Sequence, residues 1–452
     1  MTSTGNDTAT IYQRPAELLQ NLIRFNTTNP PGNEKECIAY INRLLNTAGI
    51  ETTLLARDPE RPNLLARLSG QGKAPPLLLF GHVDVVTTEK QTWQHEPFEG
   101  RIIGDDIWGR GALDMKGGVA MMLAAFLRTR ADGFTPPGEV ILNILSDEEC
   151  GGEYGAKYLV ENYAAQYTGV RYALGEFGGF NFNIGKKKFY PIMVAEKQPC
   201  YIEIILRGPS GHPTATFHRG AMAKLGRVLQ RIENKRLPVH LTPAARQMIR
   251  TMSGNLPFPA NLVTRQLLNE KIAGGLLTIL GKQFEQLEPM LHNSVNAVAI
   301  SGADNPRMIP DKISLYLRFN VLPGFTPDDA IAELRPIVGP DIGINVMDYP
   351  FYRSTSAEPD MGLFATLAGI LREADPEGIP APLLLPATTD GRFFSRLGIQ
   401  TYGFMPMNLP ADFNFWQTMH AADERVPVAS LAFGTDAIYK VIQRFGLKDN
   451  KI

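Results

Sequence analysis

An apolar run, Leu77-Leu78-Leu79-Phe80, gives way abruptly to Gly81-His82-Val83-Asp84, and a second polar group follows in Gly109-Arg110-Gly111-Ala112-Leu113-Asp114-Met115-Lys116-Gly117-Gly118. Apolar residues that end in polar chemistry are how a buried parallel strand delivers side chains to the carboxyl edge of a sheet. His82 and Asp114 read as metal ligands. Asp84 reads as the group that orients His82, because residues two apart lie on the same side of an extended segment. Further donors follow in order: Glu148-Glu149 after an apolar run at 139–145, Glu176 between Gly175 and Phe177-Gly178-Gly179, and His420 in Thr418-Met419-His420-Ala421-Ala422-Asp423-Glu424. A hydrolytic two-metal site needs imidazole and carboxylate ligands, one of them bridging, and a general base outside the metal shell. His82, Asp114, Glu148, Glu149, Glu176 and His420 are the candidates.

Taken singly, each has an ordinary alternative. His82 reads as readily as a structural histidine beside a solvated aspartate, Asp114 as a helix N-cap, and Glu148-Glu149 as a surface acidic pair. The conjunction decides. His-x-Asp, Asp-x-x-Gly-Gly, Glu-Glu and Gly-Glu stand in order after apolar segments, which chance does not readily produce.

The elements that must position these residues follow from periodicity. Helices are expected over 14–27 and 33–48, with short strands at 51–55, 63–68 and 76–80. The stretch from Gly117 to Leu127 is apolar nearly all round, which marks a helix buried on a sheet. A strand at 139–145, a helix near 153–164 and a strand at 171–174 continue an α/β alternation with a mostly parallel sheet. The rhythm changes near 197. Residues 201–207 alternate apolar and polar, and a helix at 219–234, strands at 294–301 and 312–321, a helix at 327–337 and a strand at 343–349 complete β-α-β-β-α-β, the order of a ferredoxin-like sandwich. Residues 237–293 read as irregular, with helices possible at 265–272 and 282–291. The α/β pattern resumes near 355, with a helix at 360–374, strands at 382–385 and 400–404 and a last helix at 427–444. The expected division is a catalytic domain from 1–196 and 353–452, interrupted at 197–352 by an α+β insertion. Phe404, Phe413, Phe415 and Trp416 near the end fit an apolar pocket or the core equally.

Bulk composition agrees with a protein of two domains that acts on small molecules. The 452 residues exceed one ordinary domain. A net charge of −1 gives no electrostatic case for nucleic acid or an anionic membrane. Three widely spaced cysteines argue against a disulfide framework and for a reducing, cytoplasmic setting. The first residues carry no apolar signal segment, and no run is long enough to span a bilayer.

The segments GHVDVV, GRGALDMKGG, SDEECGGEYGAKYL, GEFGG and MHAADE resemble the M20 family of zinc peptidases and amidohydrolases, and the resemblance extends over nearly the whole chain. It implies two Zn2+ per subunit, or Co2+ or Mn2+ in the same ligands. His82 and Glu176 would hold one metal, Glu149 and His420 the other, and Asp114 would bridge them, before a peptide bond to Met115 that is often cis. Asp84 would orient His82, and Glu148 would be the general base. The implied activity is hydrolysis of an amide bond in a small N-acyl amino acid or short peptide. A dipeptidase or carboxypeptidase acting on unmodified peptides, or a non-catalytic metal-binding relative, are the alternatives. The insertion resembles the family's lid, which implies a homodimer in which His212 of Gly208-x-x-Gly211-His212 reaches the partner's site. The pattern departs where the family carries an arginine for the substrate carboxylate. Asn320 stands at that position and Arg318 two residues before it, on the same strand face, while Arg392 in Thr389-Asp390-Gly391-Arg392 is a second candidate.

Overall fold

The structure is a computed structural model that describes residues 10–214, 219–280, 287–302, 305–340, 342–348 and 357–447. The chain divides into two compact units: Met1–Val194 with Asp360–Leu383 and Thr389–Ile452, and Ala195–Pro359 with Leu384–Thr388.

The first unit is built on a nine-stranded mixed sheet. Its main path runs Thr52–Leu55, Asn63–Leu68, Val140–Leu145, Leu77–His82, Tyr172–Gly175, Gln400–Gly403, Lys187–Glu196, Ile379–Leu385, and Phe182–Ile184 pairs with Lys187–Glu196. The centre is parallel. Leu77–His82 pairs in parallel with Val140–Leu145 on one side and Tyr172–Gly175 on the other, and Gln400–Gly403 continues that direction. All six residues of Leu77–His82 and of Val140–Leu145 are buried, as strands covered on both faces must be. The helix Lys116–Ala131 is buried along nearly its whole length and packs against the last helix, Val428–Arg444, and against Pro15–Ile23. Gly117 allows the start of that helix to close on the preceding loop, since a Cβ there would lie 2.2 Å from the Ala112 carbonyl oxygen. A separate three-stranded sheet, Arg101–Ile103, Asp106–Trp108 and Arg425–Pro427, joins the loop before Asp114 to the segment after His420. These three-residue strands are too short to show a period in sequence.

The second unit is a four-stranded antiparallel sheet in the order Ser294–Ser301, Lys312–Val321, Gln198–Arg207, Gly343–Asp348. With the helices Ala221–Asn234 and Pro327–Val338 it forms the expected β-α-β-β-α-β sandwich. Its core comes from alternate strand residues (Cys200, Ile202, Ile204, Leu206; Ile313, Leu315, Leu317, Phe319) against Leu225, Val228, Ala330 and Leu334. The stretch read as irregular is helical: Pro243–Asn255, Ala260–Gln266 and Glu270–Leu280. Thr242 caps the first by accepting from the Ala245 N–H at 3.3 Å, with Pro243 at the first helical position. Pro257, Pro259 and the Gly274-Gly275 pair look like breakers, which hid the second and third. The helix expected at 265–272 straddles the break between Gln266 and Glu270. Half of the one expected at 282–291 lies outside the described residues, and its described end is a single 3-10 turn, Glu288–Met290.

Candidate metal centre

The strand Leu77–His82 ends at the carboxyl edge of the sheet, and His82 there is buried. Its Nδ1 lies 3.0 Å from the backbone carbonyl oxygen of Asp84 and 3.4 Å from the Asp84 carboxylate. A carbonyl only accepts, so Nδ1 carries the hydrogen and Nε2 presents its lone pair. That lone pair meets Asp114 Oδ1 at 3.2 Å and Glu176 Oε2 at 3.5 Å. The other oxygen of Asp114 turns to a second set: His420 Nε2 is 3.1 Å from Asp114 Oδ2 and 3.2 Å from Glu149 Oε1. The donor atoms of His82, Asp114 and Glu176 lie within 4.8 Å of one another, as do those of Asp114, Glu149 and His420. Asp114 belongs to both groups, one oxygen to each. The Asp114-Met115 peptide bond is cis.

The donor chemistry fits a pair of dications. Asp84, Asp114, Glu176 and Asp390 are buried, and the side chains of Glu148 and Glu149 are only 12% and 7% exposed. Arg392 reaches this group, 3.8 Å from Glu148. Burial and the nearby Glu176 carboxylate push Glu148 well above the usual carboxylate range. Burial pushes Glu176 up to about 8, although His82 opposes it. His420 rises to about 10, because Asp114 and Glu149 outweigh the desolvation that would lower it. So much buried negative charge facing two imidazole nitrogens calls for positive charge between them.

Glu148 and Glu149 lie in a single 3-10 turn, Glu148–Cys150, and not on a strand. Asp84 anchors that turn: its Oδ1 accepts from the Glu148 N–H and its Oδ2 from the Glu149 N–H, both at 3.1 Å. Thus His82 is oriented mainly by a backbone carbonyl, while the Asp84 carboxylate holds the acidic turn in place. Asn29 donates to Asp84 Oδ2 at 2.9 Å and to Asp147 at 3.0 Å. Arg61, itself held by the buried Glu34, also pairs with Asp147 at 3.0 Å.

A second network holds His420, whose backbone sits in the left-handed region at φ 61°. Its carbonyl accepts from Gln91 at 2.8 Å and from Arg110 at 3.2 Å. Arg110 pairs at 2.5 Å with Glu424, both fully buried, and the other oxygen of Glu424 accepts the N–H groups of Leu113 and Asp114. One buried ion pair therefore fixes Asp114 and His420 together. Replacing Glu424 by glutamine leaves Arg110 uncompensated, and a loss of about 3 kcal/mol in urea unfolding of the metal-free protein is expected. A loss under about 1 kcal/mol contradicts this role. Asn29, Glu34, Arg61, Asp147, Arg110 and Glu424 were not singled out from sequence. The last three stand inside the motifs quoted above, and that position was the available signal.

The remaining sequence candidates are placed as follows. Arg392 stacks on Phe393 and donates to the Thr389 carbonyl at 3.0 Å, beside Glu148. Arg318 and Asn320, in the second unit, share a half-buried strand face and bond to each other at 3.3 Å. His212, also in the second unit, is exposed and contacts Thr214 at 2.9 Å.

Comparison with known proteins gives a consistent picture. Residues 78–444 match Peptidase family M20/M25/M40. The pig (Sus scrofa) aminoacylase-1 is 24% identical over 429 residues, 93% of this chain and 92% of that protein. The human N-fatty-acyl-amino acid synthase/hydrolase PM20D1 is 25% identical over 420 residues, 89% of this chain and 81% of that protein. In fold, the M20 family metallo-carboxypeptidase Sso-CP2 from Sulfolobus solfataricus superposes with a TM-score of 0.66 at 15% identity, covering 96% of this chain and 99% of that one.

Proposed function

Because the chain belongs to peptidase family M20/M25/M40, we propose that it is a dinuclear metal-dependent hydrolase that cleaves the amide C–N bond of small N-acyl amino acids or short peptides. The observation that carries this reading is Asp114, with one carboxylate oxygen in each of two histidine–carboxylate donor groups. His82 and Glu176 would hold one metal and Glu149 and His420 the other. The imidazole and carboxylate donors favour Zn2+, with Co2+ or Mn2+ able to occupy the same ligands. Two such dications lower the pKa of a water and polarise the scissile carbonyl.

The chain's own residues do the rest. Glu148 is not among the donors of either metal group, yet its turn is tied to the site by Asp84. It takes one proton from the attacking water. The water oxygen bonds to the acyl carbon, the C–N bond breaks, and Glu148 delivers that proton to the departing nitrogen. Products are an amine and a carboxylic acid, whose remaining proton from the water passes to the amine, leaving a carboxylate and an ammonium. Arg392, at the edge of Glu148, reads the carboxylate of the leaving amino acid.

The inserted unit supports a homodimer: its edge strand Ser294–Ser301 leaves Val298 and Ile300 52% and 55% exposed. In that dimer the exposed His212 would stabilise the oxyanion in the partner's site. Among the described residues no helix is long and apolar enough to cross a membrane. A cytoplasmic setting is supported by the three free cysteines, Cys37, Cys150 and Cys200.

The test is a hydrolysis screen that pairs N-acyl amino acids with their carboxamides. The carboxylates are expected to be cleaved with kcat/KM at least about tenfold higher, a preference that Arg392→Met removes chiefly through KM. Equal rates on both members of each pair rule out the clamp. Hydrolysis of neither, by zinc-loaded protein, contradicts the function.

A further inference from the structure

The aromatic residues near the chain end divide in a way the sequence left open. Phe404 and Phe415 are core, whereas Trp416 is 40% exposed. Phe415 stacks on Phe180 with ring centroids 3.9 Å apart and planes 9° apart, and both are buried. Trp416 stacks on Phe177, with centroids 5.8 Å apart and planes at 12°. Phe177 directly follows Glu176. Trp416 belongs to the turn Phe415–Thr418, and the Met419 N–H donates back to the Phe415 carbonyl at 2.9 Å, which ties that turn to His420. Asn414 caps the same turn by accepting from the Gln417 N–H. Trp416 is therefore held between the segments carrying one donor of each metal group, on a rigid aromatic base, with one face open. His420, four residues on, also leaves 39% of its side chain exposed. A large aromatic side chain fixed in place contributes apolar contact area at small entropic cost.

Strand order sets the Glu148 turn apart from Phe177. In the sheet, Val140–Leu145 and Tyr172–Gly175 flank Leu77–His82 on opposite sides. Glu148, which serves the departing nitrogen, follows the first strand, and Arg392 lies against it. Phe177 follows the second. With Glu148 and Arg392 given to the departing amino acid, the aromatic pair beside Glu176 is left to the acyl group.

We infer that Trp416, stacked on Phe177, is the shelf that receives the substrate's acyl group, and that this group is apolar and larger than acetyl. The inference rests on the amide-hydrolase reading above. The test uses metal-loaded wild-type, Trp416→Ala and Trp416→Phe proteins on N-decanoyl and N-acetyl derivatives of L-alanine, L-leucine and L-phenylalanine. Wild-type protein is expected to prefer decanoyl substrates by about tenfold or more in kcat/KM. Trp416→Ala is expected to lower kcat/KM on decanoyl substrates at least about five times more than on acetyl ones, mainly through KM, and Trp416→Phe to restore most of the preference. Cleavage of acetyl substrates without preference for decanoyl, or an equal fall on both in Trp416→Ala, overturns the shelf and leaves the hydrolase intact. Cleavage of none of the six by wild-type protein overturns the hydrolase reading and the shelf with it.

Discussion

Replacing Glu148 by glutamine is expected to lower kcat by about 10³-fold while leaving two metals bound. Glutamine keeps the shape of the side chain and removes its capacity to carry a proton. Glu148 is absent from both donor groups, and its backbone N–H stays on Asp84, so neither the metals nor the turn should be lost. The check is kcat on an N-acyl amino acid together with metal content by elemental analysis. A variant that keeps more than about a tenth of the activity, or that loses metal, contradicts the assignment of the base.

Asp114→Ala should have the larger effect on metal. Every other donor belongs to one group, and Asp114 belongs to both. Its removal takes a ligand from each metal at once and leaves His82 and His420 without their shared anion. Activity should fall below detection and metal content below one ion per chain, whereas Glu149→Ala should cost chiefly one of the two. Thermal unfolding gives an independent readout. A ligand that binds only the folded state raises Tm, so added zinc should stabilise wild-type protein and leave Asp114→Ala nearly unmoved. An Asp114→Ala protein that retains both ions would remove Asp114 as the bridge.

Much of this arrangement was legible in the chain itself. His82, Glu149 and Glu176 sit at or just past the ends of apolar strands, and parallel strands place such ends along one edge. That is why a few polar residues scattered from His82 to His420 could be read as one site. The ferredoxin-like order of the insertion was visible because its strands are long and alternate, as Gln198–Arg207 and Lys312–Val321 do. What sequence did not show falls into two kinds. The three-residue strands and the helices around Pro257, Pro259 and Gly274-Gly275 lack a readable period or carry apparent breakers. The supporting residues are the second kind. Arg110 and Glu424 look like surface charges in sequence, and only tertiary pairing at 2.5 Å shows them as a buried clamp on Asp114 and His420. Asp84 is similar: its spacing suggested a carboxylate that orients His82, and the fold assigns most of that work to its carbonyl oxygen while the carboxylate holds Glu148 and Glu149.

The central claim is that two metal ions share Asp114. The direct measurement is an anomalous difference map from crystals of the zinc-loaded protein. Two peaks are expected, one among His82, Asp114 and Glu176 and one among Asp114, Glu149 and His420. A single peak, or peaks away from Asp114, would contradict the account.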